Sequence, residues 1–198
     1  MRLLLLRHPK VSVTWRHRCY GRSEAPLGTE GRAAARRLAA LVPAAGALHA
    51  SPSRRAGLLA GRIARRLGLP IRWDRRLMER DFGRWEGQPW DAIWQAEGSA
   101  MDGMIDAPGD FRPGGGETTE EMATRARAWL ADLSPGTLVI AVSHGGPIAA
   151  LAGGLLGLAV RDWFAWLPPE GGGLLVEQTA AGPPRVTPWP PAGTVSQP

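Results

Sequence analysis

Arg2-Leu3-Leu4-Leu5-Leu6-Arg7-His8 opens the chain, and Leu138-Val139-Ile140-Ala141-Val142-Ser143-His144-Gly145 restates its plan far downstream. Each is a short apolar run that ends at a histidine. Runs of this length without polar alternation read as buried strands, the kind found in a parallel sheet covered on both faces. Ligands of open α/β sheets bind beyond the carboxyl ends of such strands. Both histidines are delivered there, one beside Arg7 and the other ahead of Gly145 and Gly146. Two imidazoles and a guanidinium at one sheet edge point to a phosphate site.

The segments between these runs alternate helix and strand. Thr29 to Leu41 reads as a helix with Ala34, Leu38, Leu41 and Val42 on its apolar face. Ala47-Leu48-His49-Ala50 is a short strand. Ser51-Pro52 then reads as an N-cap and a first helical residue, with Ala56, Leu59, Ile63 and Leu67 turned inward and Gly68 as the stop. Ile71-Arg72-Trp73 is a third strand. Residues 78 to 116, rich in Trp, Gly and Pro, read as an excursion over the site with a short helix near Trp90 to Glu97. Thr118 and Glu121 have capping-box spacing, and the helix behind them carries Met122, Ala126, Trp129, Leu130 and Leu133 on one stripe. After the strand at Leu138 to Val142, a helix runs from about Pro147 to Leu156. Phe164 to Leu167 and Gly173 to Glu177 suggest late strands. The expected fold is therefore α/β, a three-layer α/β/α sandwich with a mostly parallel central sheet in a single domain. That domain spans 1–187, and a Pro-rich tail follows at 188–198.

Bulk properties bound the function. The chain has 198 residues, 44% hydrophobic and 21% charged, which suits one globular domain. Cys19 is the only cysteine, so no intrachain disulfide forms and nothing argues for secretion. A cytoplasmic protein is expected. Leu138 to Val160 lacks charge and approaches the length of a membrane span, but Ser143-His144-Gly145-Gly146-Pro147 interrupts it, and no membrane association is expected. The formal charge is +6, almost all of the positive charge arginine. The arginines are scattered over polar helix faces, which favours a solvated surface over a nucleic-acid groove.

Phosphoryl transfer needs cations around three equatorial oxygens, an in-line nucleophile and a proton donor for the leaving oxygen. His8 is the candidate nucleophile, with Arg7 beside it disfavouring its protonation. Arg54 and Arg55 lie in the first turn of a helix, where backbone N–H groups also face an anion. His144 would face His8 across the crevice, with Gly145 allowing close backbone approach. Glu79 is the candidate acid–base group, and Glu86 stands at nearby spacing. Tyr20, Gly21, Arg22 and Ser23, in the first loop, are candidate substrate contacts, and His17 could line the mouth. Cys19 fails as a thiol-phosphatase nucleophile, because the required arginine six residues on is Ala25. Trp73, Trp85, Trp90 and Trp94 read as packing for a loop-rich cap, with stacking on a flat substrate as the alternative.

Together these pieces resemble the histidine phosphatase (phosphoglycerate-mutase-like) superfamily. They are Leu6-Arg7-His8, Ser51-Pro52-x-x-Arg55-Ala56, Leu77-x-Glu79-x-x-x-Gly83-x-Trp85-Glu86-Gly87, Gly114-Gly115-Gly116-Glu117-Thr118 and Val142-Ser143-His144-Gly145-Gly146, in the family's order over about residues 1 to 177. The resemblance implies that His8 becomes phosphorylated, that Arg7, Arg55 and His144 hold the phosphoryl group, and that Glu79 moves the proton. It implies no metal and no cofactor. Pro9 stands where the family usually has glycine. With Cys19-Tyr20-Gly21-Arg22-Ser23 it is similar to the α-ribazole phosphatase-like branch of cobalamin assembly. The implied partner is a small-molecule phosphomonoester, with no nucleic acid, and the oligomeric state is open, a dimer included. The rivals are a mutase of the same superfamily, a polyanion-binding module with a vestigial site and, more weakly, a metal-dependent hydrolase.

Overall fold

A computed structural model of the chain describes residues 1–134, 136–178 and 182–190. Six strands form one sheet: β1 (Arg2–Arg7), β2 (Ala47–Ala50), β3 (Ile71–Trp73), β4 (Val139–Ser143), β5 (Gly173–Glu177) and β6 (Arg185–Trp189). Their order is β3-β2-β4-β1-β5-β6. β1, β2, β3 and β4 run parallel, and β5 pairs antiparallel with both β1 and β6. The expected α/β fold with a mostly parallel sheet is the one observed.

The leucine run explains itself in this sheet. Leu4 and Leu6 pack into one core with Ile140 and Val142, while Leu3 and Leu5 pack into the other with Val139 and Ala141. Successive strand residues point to opposite faces, so a strand between two helical layers must be apolar throughout. The first layer is α1 (Thr29–Leu41) and α2 (Arg54–Leu67). The second is α5 (Thr119–Ala131) and α6 (Gly145–Leu155). The excursion carries α3 (Trp90–Glu97) and α4 (Gly103–Asp106) with several 3-10 turns.

Several boundaries differ from expectation. α1 buries Gly31, Ala35, Leu38 and Ala39, while Leu41 is exposed, so its apolar stripe is rotated from the one read. At Gly31 the small residue is needed because the Lys10 carbonyl of the first loop lies where a Cβ would stand. α2 begins at Arg54 behind Ser53, not at Pro52; the Ser51 hydroxyl accepts from Ser53 N at 3.4 Å and also meets His144 Nε2 at 2.8 Å. Residues 164–167 are no strand; they fall in and after a 3-10 helix, Val160–Trp166, which turns back on α6 at 115°. Trp163 in that helix packs against α6. β6 continues to Trp189, two residues past the boundary at 187, and most of the expected tail (191–198) lies outside the described residues. The capping box forms as read, with Thr118 Oγ1 accepting from Glu121 N and Glu121 accepting from Thr118 N. Among the described residues no helix is long and apolar enough to cross a membrane.

Candidate active site

β1 and β4 are hydrogen-bonded neighbours, with Arg7 opposite Ser143. This register brings His8 and His144 side by side: their ring centroids are 5.2 Å apart, edge to face, and both residues are buried. The His8 N–H donates to the Ser143 carbonyl at 3.1 Å, locking the two strand ends together. Histidines 136 positions apart in sequence become contacts because their strands share a ladder.

The ring of His8 is oriented by its own backbone. Nδ1 lies 2.8 Å from the Pro9 carbonyl. A carbonyl only accepts, so the ring proton sits on Nδ1 and Nε2 keeps its lone pair. Pro9 loses an N–H to its ring but supplies this acceptor. Burial pushes the His8 pKa well below its ordinary value, and the charges of Arg55 and then Arg7 add to the shift. Arg7 acts in the direction expected of it, behind desolvation and Arg55. His144 is likewise pushed down, by burial and then Arg55. Its Nε2 lies 2.8 Å from Ser51 Oγ and 3.3 Å from Ser53 Oγ. A hydroxyl donated to Nε2 leaves the ring proton on Nδ1, which is buried without a protein partner.

Arg55, in the first turn of α2, donates to the Ser23 carbonyl at 2.7 Å and the Gly21 carbonyl at 2.5 Å, with Tyr20 stacked 5.1 Å from its Cζ. Arg7 donates to the Pro168 carbonyl at 2.9 Å. Each guanidinium still keeps a buried Nε with no protein partner. Buried polar atoms are nearly always satisfied. Arg7 Nε, Arg55 Nε and His144 Nδ1 are three exceptions around one imidazole, and an oxyanion would answer all three.

Glu79 enters from the excursion. Its carboxylate accepts from Arg80 N at 3.0 Å and Gly146 N at 3.4 Å. It lines a cavity of about 410 Å³ together with Arg7, Tyr20, Gly21 and Gly145. Gly145 lets the backbone approach closely there: a Cβ would lie 3.0 Å from Leu167 Cδ1 and 3.2 Å from Arg7 Cζ, so both side chains would have to shift. Trp90 and Phe82 also line this cavity. Trp85 packs with Cys19, Ile93 and Phe111 beneath it, whereas Trp73 on β3 and Trp94 on α3 are each 54% exposed. The four tryptophans therefore do not form one cluster.

Arg22 and Ser23 were expected at the substrate. Instead Arg22 pairs with Asp81 at 3.1 Å and Glu117 at 3.3 Å, and Ser23 Oγ donates to Glu86. Glu86 also accepts from the backbone N–H groups of Arg22 and Phe82. These groups clamp the first loop to the excursion, and neither Arg22 nor Ser23 lines the cavity. His17 does not line it either. Cys19 is buried, and burial pushes its thiol up to about 12, so no thiolate is available. His49 accepts from Trp129 Nε1 at 3.1 Å, in the sheet rather than the site.

Arg125 was missed by the sequence reading. From α5 it pairs with Glu117 at 2.7 Å and donates to the carbonyls of Arg76, Met78 and Glu79 at 2.7, 2.6 and 3.0 Å. It pins the segment that presents Glu79. In sequence it is one more arginine on a charged helix, and no local signal distinguishes it. Among the described residues no three His, Cys, Asp or Glu side chains gather into a metal-binding cluster.

Comparison with known proteins shows the family of the chain. The profile of the "Histidine phosphatase superfamily (branch 1)" matches residues 3–183. Glucosyl-3-phosphoglycerate phosphatase of Mycobacterium tuberculosis is 34% identical over 180 residues, 83% of this chain and 79% of that protein. A "Probable phosphoglycerate mutase GpmB" of Salmonella paratyphi C is 29% identical over 163 residues, 80% of this chain and 76% of that protein. Among solved structures, the mycobacterial glucosyl-3-phosphoglycerate phosphatase complexed with VO3 superposes with a TM-score of 0.81 at 29% identity, covering 94% of this chain and 96% of that one. The α-ribazole phosphatase of Shigella flexneri superposes at 0.79 with 22% identity, covering 91% and 92%, and shows the shared fold.

Proposed function

Because the chain belongs to the histidine phosphatase superfamily, we propose that it hydrolyses phosphomonoesters through a phosphohistidine at His8, without a metal. The observation that carries this reading is the set of unpartnered buried nitrogens around a neutral imidazole whose Nε2 is free. His8 Nε2 attacks phosphorus in line, forming the N–P bond as the ester P–O bond breaks. Glu79 gives its proton to the departing oxygen. Arg7, Arg55 and His144 donate to the equatorial oxygens, over which the negative charge is spread. Water then attacks the phosphohistidine while the Glu79 carboxylate takes its proton, and the N–P bond breaks to release phosphate. Pro9 keeps the His8 proton on Nδ1 throughout the attack.

The leaving group is a separate matter. The α-ribazole reading rests on Pro9 and residues 19–23. Two of those, Arg22 and Ser23, are engaged with the excursion, and the likeness to the α-ribazole phosphatase of Shigella flexneri, at 22% identity, extends to the fold and not to the substrate. The names of the other relatives described above instead include phosphorylated glycerates. Hydrolysis of p-nitrophenyl phosphate in the presence of a chelator tests the reaction class. Chelator-insensitive turnover, inhibited by vanadate, is expected. Turnover abolished by chelator and restored by a divalent metal would overturn the metal-free mechanism. On 3-phosphoglycerate, release of inorganic phosphate is expected, and conversion to the isomer without phosphate release would identify a mutase.

A further inference from the structure

Gly114-Gly115-Gly116-Glu117-Thr118 takes no part in the reaction just described, yet its acid stands between two groups that do. The glycines bring it there. A Cβ on Gly114 would run into the Phe82 carbonyl, and one on Gly116 into the Asp81 carbonyl. Without side chains the run lies against residues 81–83, and Glu117 N donates to the Asp81 carbonyl at 2.8 Å. Thr118 caps α5 directly afterwards. The backbone on both sides of Glu117 is thus fixed, and its side chain is only 11% exposed.

The Glu117 carboxylate meets two arginines. Arg125 Nε and Nη2 donate to its two oxygens at 2.7 and 2.8 Å, fork against fork. The same guanidinium holds the carbonyls of Met78 and Glu79 at 2.6 and 3.0 Å. On the other side, Arg22 Nη2 lies 3.3 Å from Glu117 Oε2. Arg22 sits between Gly21 and Ser23, whose carbonyls anchor Arg55 at 2.5 and 2.7 Å. One carboxylate is therefore a single arginine away from the backbone of Glu79 and a single arginine away from the anchors of Arg55. Glu86 also tethers the first loop, but it meets the excursion at Phe82, past Glu79. Removing one member of a buried ionic cluster leaves the others uncompensated, so the loss of Glu117 reaches both arginines.

We propose that Glu117 is a positioning residue that keeps the proton donor and the phosphoryl-binding arginine in register. Through Arg125 it fixes where Glu79 stands, and through Arg22 it fixes where Arg55 stands. This rests on the phosphatase reading of the site. The transfer needs the acid at the departing oxygen and the guanidinium at the equatorial oxygens together, and a misplacement of about 1 Å costs about a hundredfold.

The test compares p-nitrophenyl phosphate with phenyl phosphate. The esters are similar in shape, but p-nitrophenolate departs without a proton, whereas phenolate needs one. Misplacing Arg55 slows both alike, and misplacing Glu79 slows phenyl phosphate alone. Glu117→Gln, which keeps the shape and removes the charge, should lower kcat/KM by about tenfold on p-nitrophenyl phosphate and about a hundredfold on phenyl phosphate. Arg22→Gln should slow both esters by one factor, and Arg125→Lys should slow phenyl phosphate more. In Glu117→Gln, an equal loss on both esters would break the link to Glu79, a loss on phenyl phosphate alone would break the link to Arg55, and either result, or no loss at all, would overturn the proposal. If Glu117→Gln does not fold, the double variant Arg22→Gln/Arg125→Lys decides. Two groups acting through one carboxylate should lose less together than the product of their separate losses, and a full product would overturn the coupling. Failure of the underlying reading looks different: Glu79→Gln would leave the ratio of the two esters unchanged, or the wild type would turn over neither, and the proposal would fall with it.

Discussion

The imidazole of His8 is held neutral by three separate causes: burial, the charge of Arg55 and the charge of Arg7. In the proposed reaction neutrality makes Nε2 a nucleophile, and the arginines that enforce it would receive the phosphoryl oxygens. Arg55→Ala removes a preorganised donor and should slow turnover by about two to three orders of magnitude, roughly 3–4 kcal/mol at the transition state. Stopped-time assays on p-nitrophenyl phosphate check this, and a loss below tenfold would place Arg55 outside the reacting centre. At this scale the sequence was informative where chemistry is concentrated in motifs. His8, Arg55, Glu79 and His144 were all picked out in sequence; the two imidazoles meet at 5.2 Å, the charge of Arg55 acts on both and that of Glu79 acts on Arg55, while of the four only Glu79 lines the cavity. Arg22 and Ser23 were expected at the substrate, but their side chains bind Asp81, Glu117 and Glu86, which are distant in sequence and brought near only by the folded excursion.

Elements transmit this chemistry through close backbone approach. The first turn of α6 touches Glu79, and a Cβ built on Gly146 would lie 2.5 Å from Glu79 Oε1 and 2.9 Å from Met122 Sδ. Gly146→Ala should therefore displace the carboxylate, lowering kcat by about tenfold or more while circular dichroism stays native. Unchanged kcat would mean the carboxylate's position does not matter. Helix periodicity revealed the existence of α1 and α2, yet it misread the face of α1, because alanines and a glycine carry its contact and weigh little in an apolar count. The start of α2 was misread for a different reason. Ser51 has a cap's identity and accepts from Ser53 N, but the helix starts three residues on and the same hydroxyl meets His144, a tertiary contact that local sequence does not display.

For the molecule as a whole, the layered sheet decides both stability and site. The parallel strands align their carboxyl ends, so residues scattered from 7 to 146 converge at one rim. Convergence also buries two histidines in neutral form. Their folded pKa values lie below the unfolded value, so the unfolded chain binds more protons once the pH drops under about 6.5. The stabilisation present above that pH is lost as pH falls through it toward the depressed folded values. The melting temperature should decline from pH 7.5 to 5.5, and His8→Asn should flatten that decline. Parallel slopes for the two proteins would rule out a neutral buried His8. The fold class was legible because a two-faced apolar strand admits few architectures. The excursion was not, since its contacts are loop to loop, with neither helical nor strand period to read.

The most direct measurement is the location of phosphate on the enzyme during turnover. Protein quenched at alkaline pH after mixing with p-nitrophenyl phosphate should carry one acid-labile phosphoryl group, mapped by mass spectrometry to the His8 peptide and missing from His8→Asn. Phosphate on any other residue, or steady turnover by His8→Asn, would contradict the account.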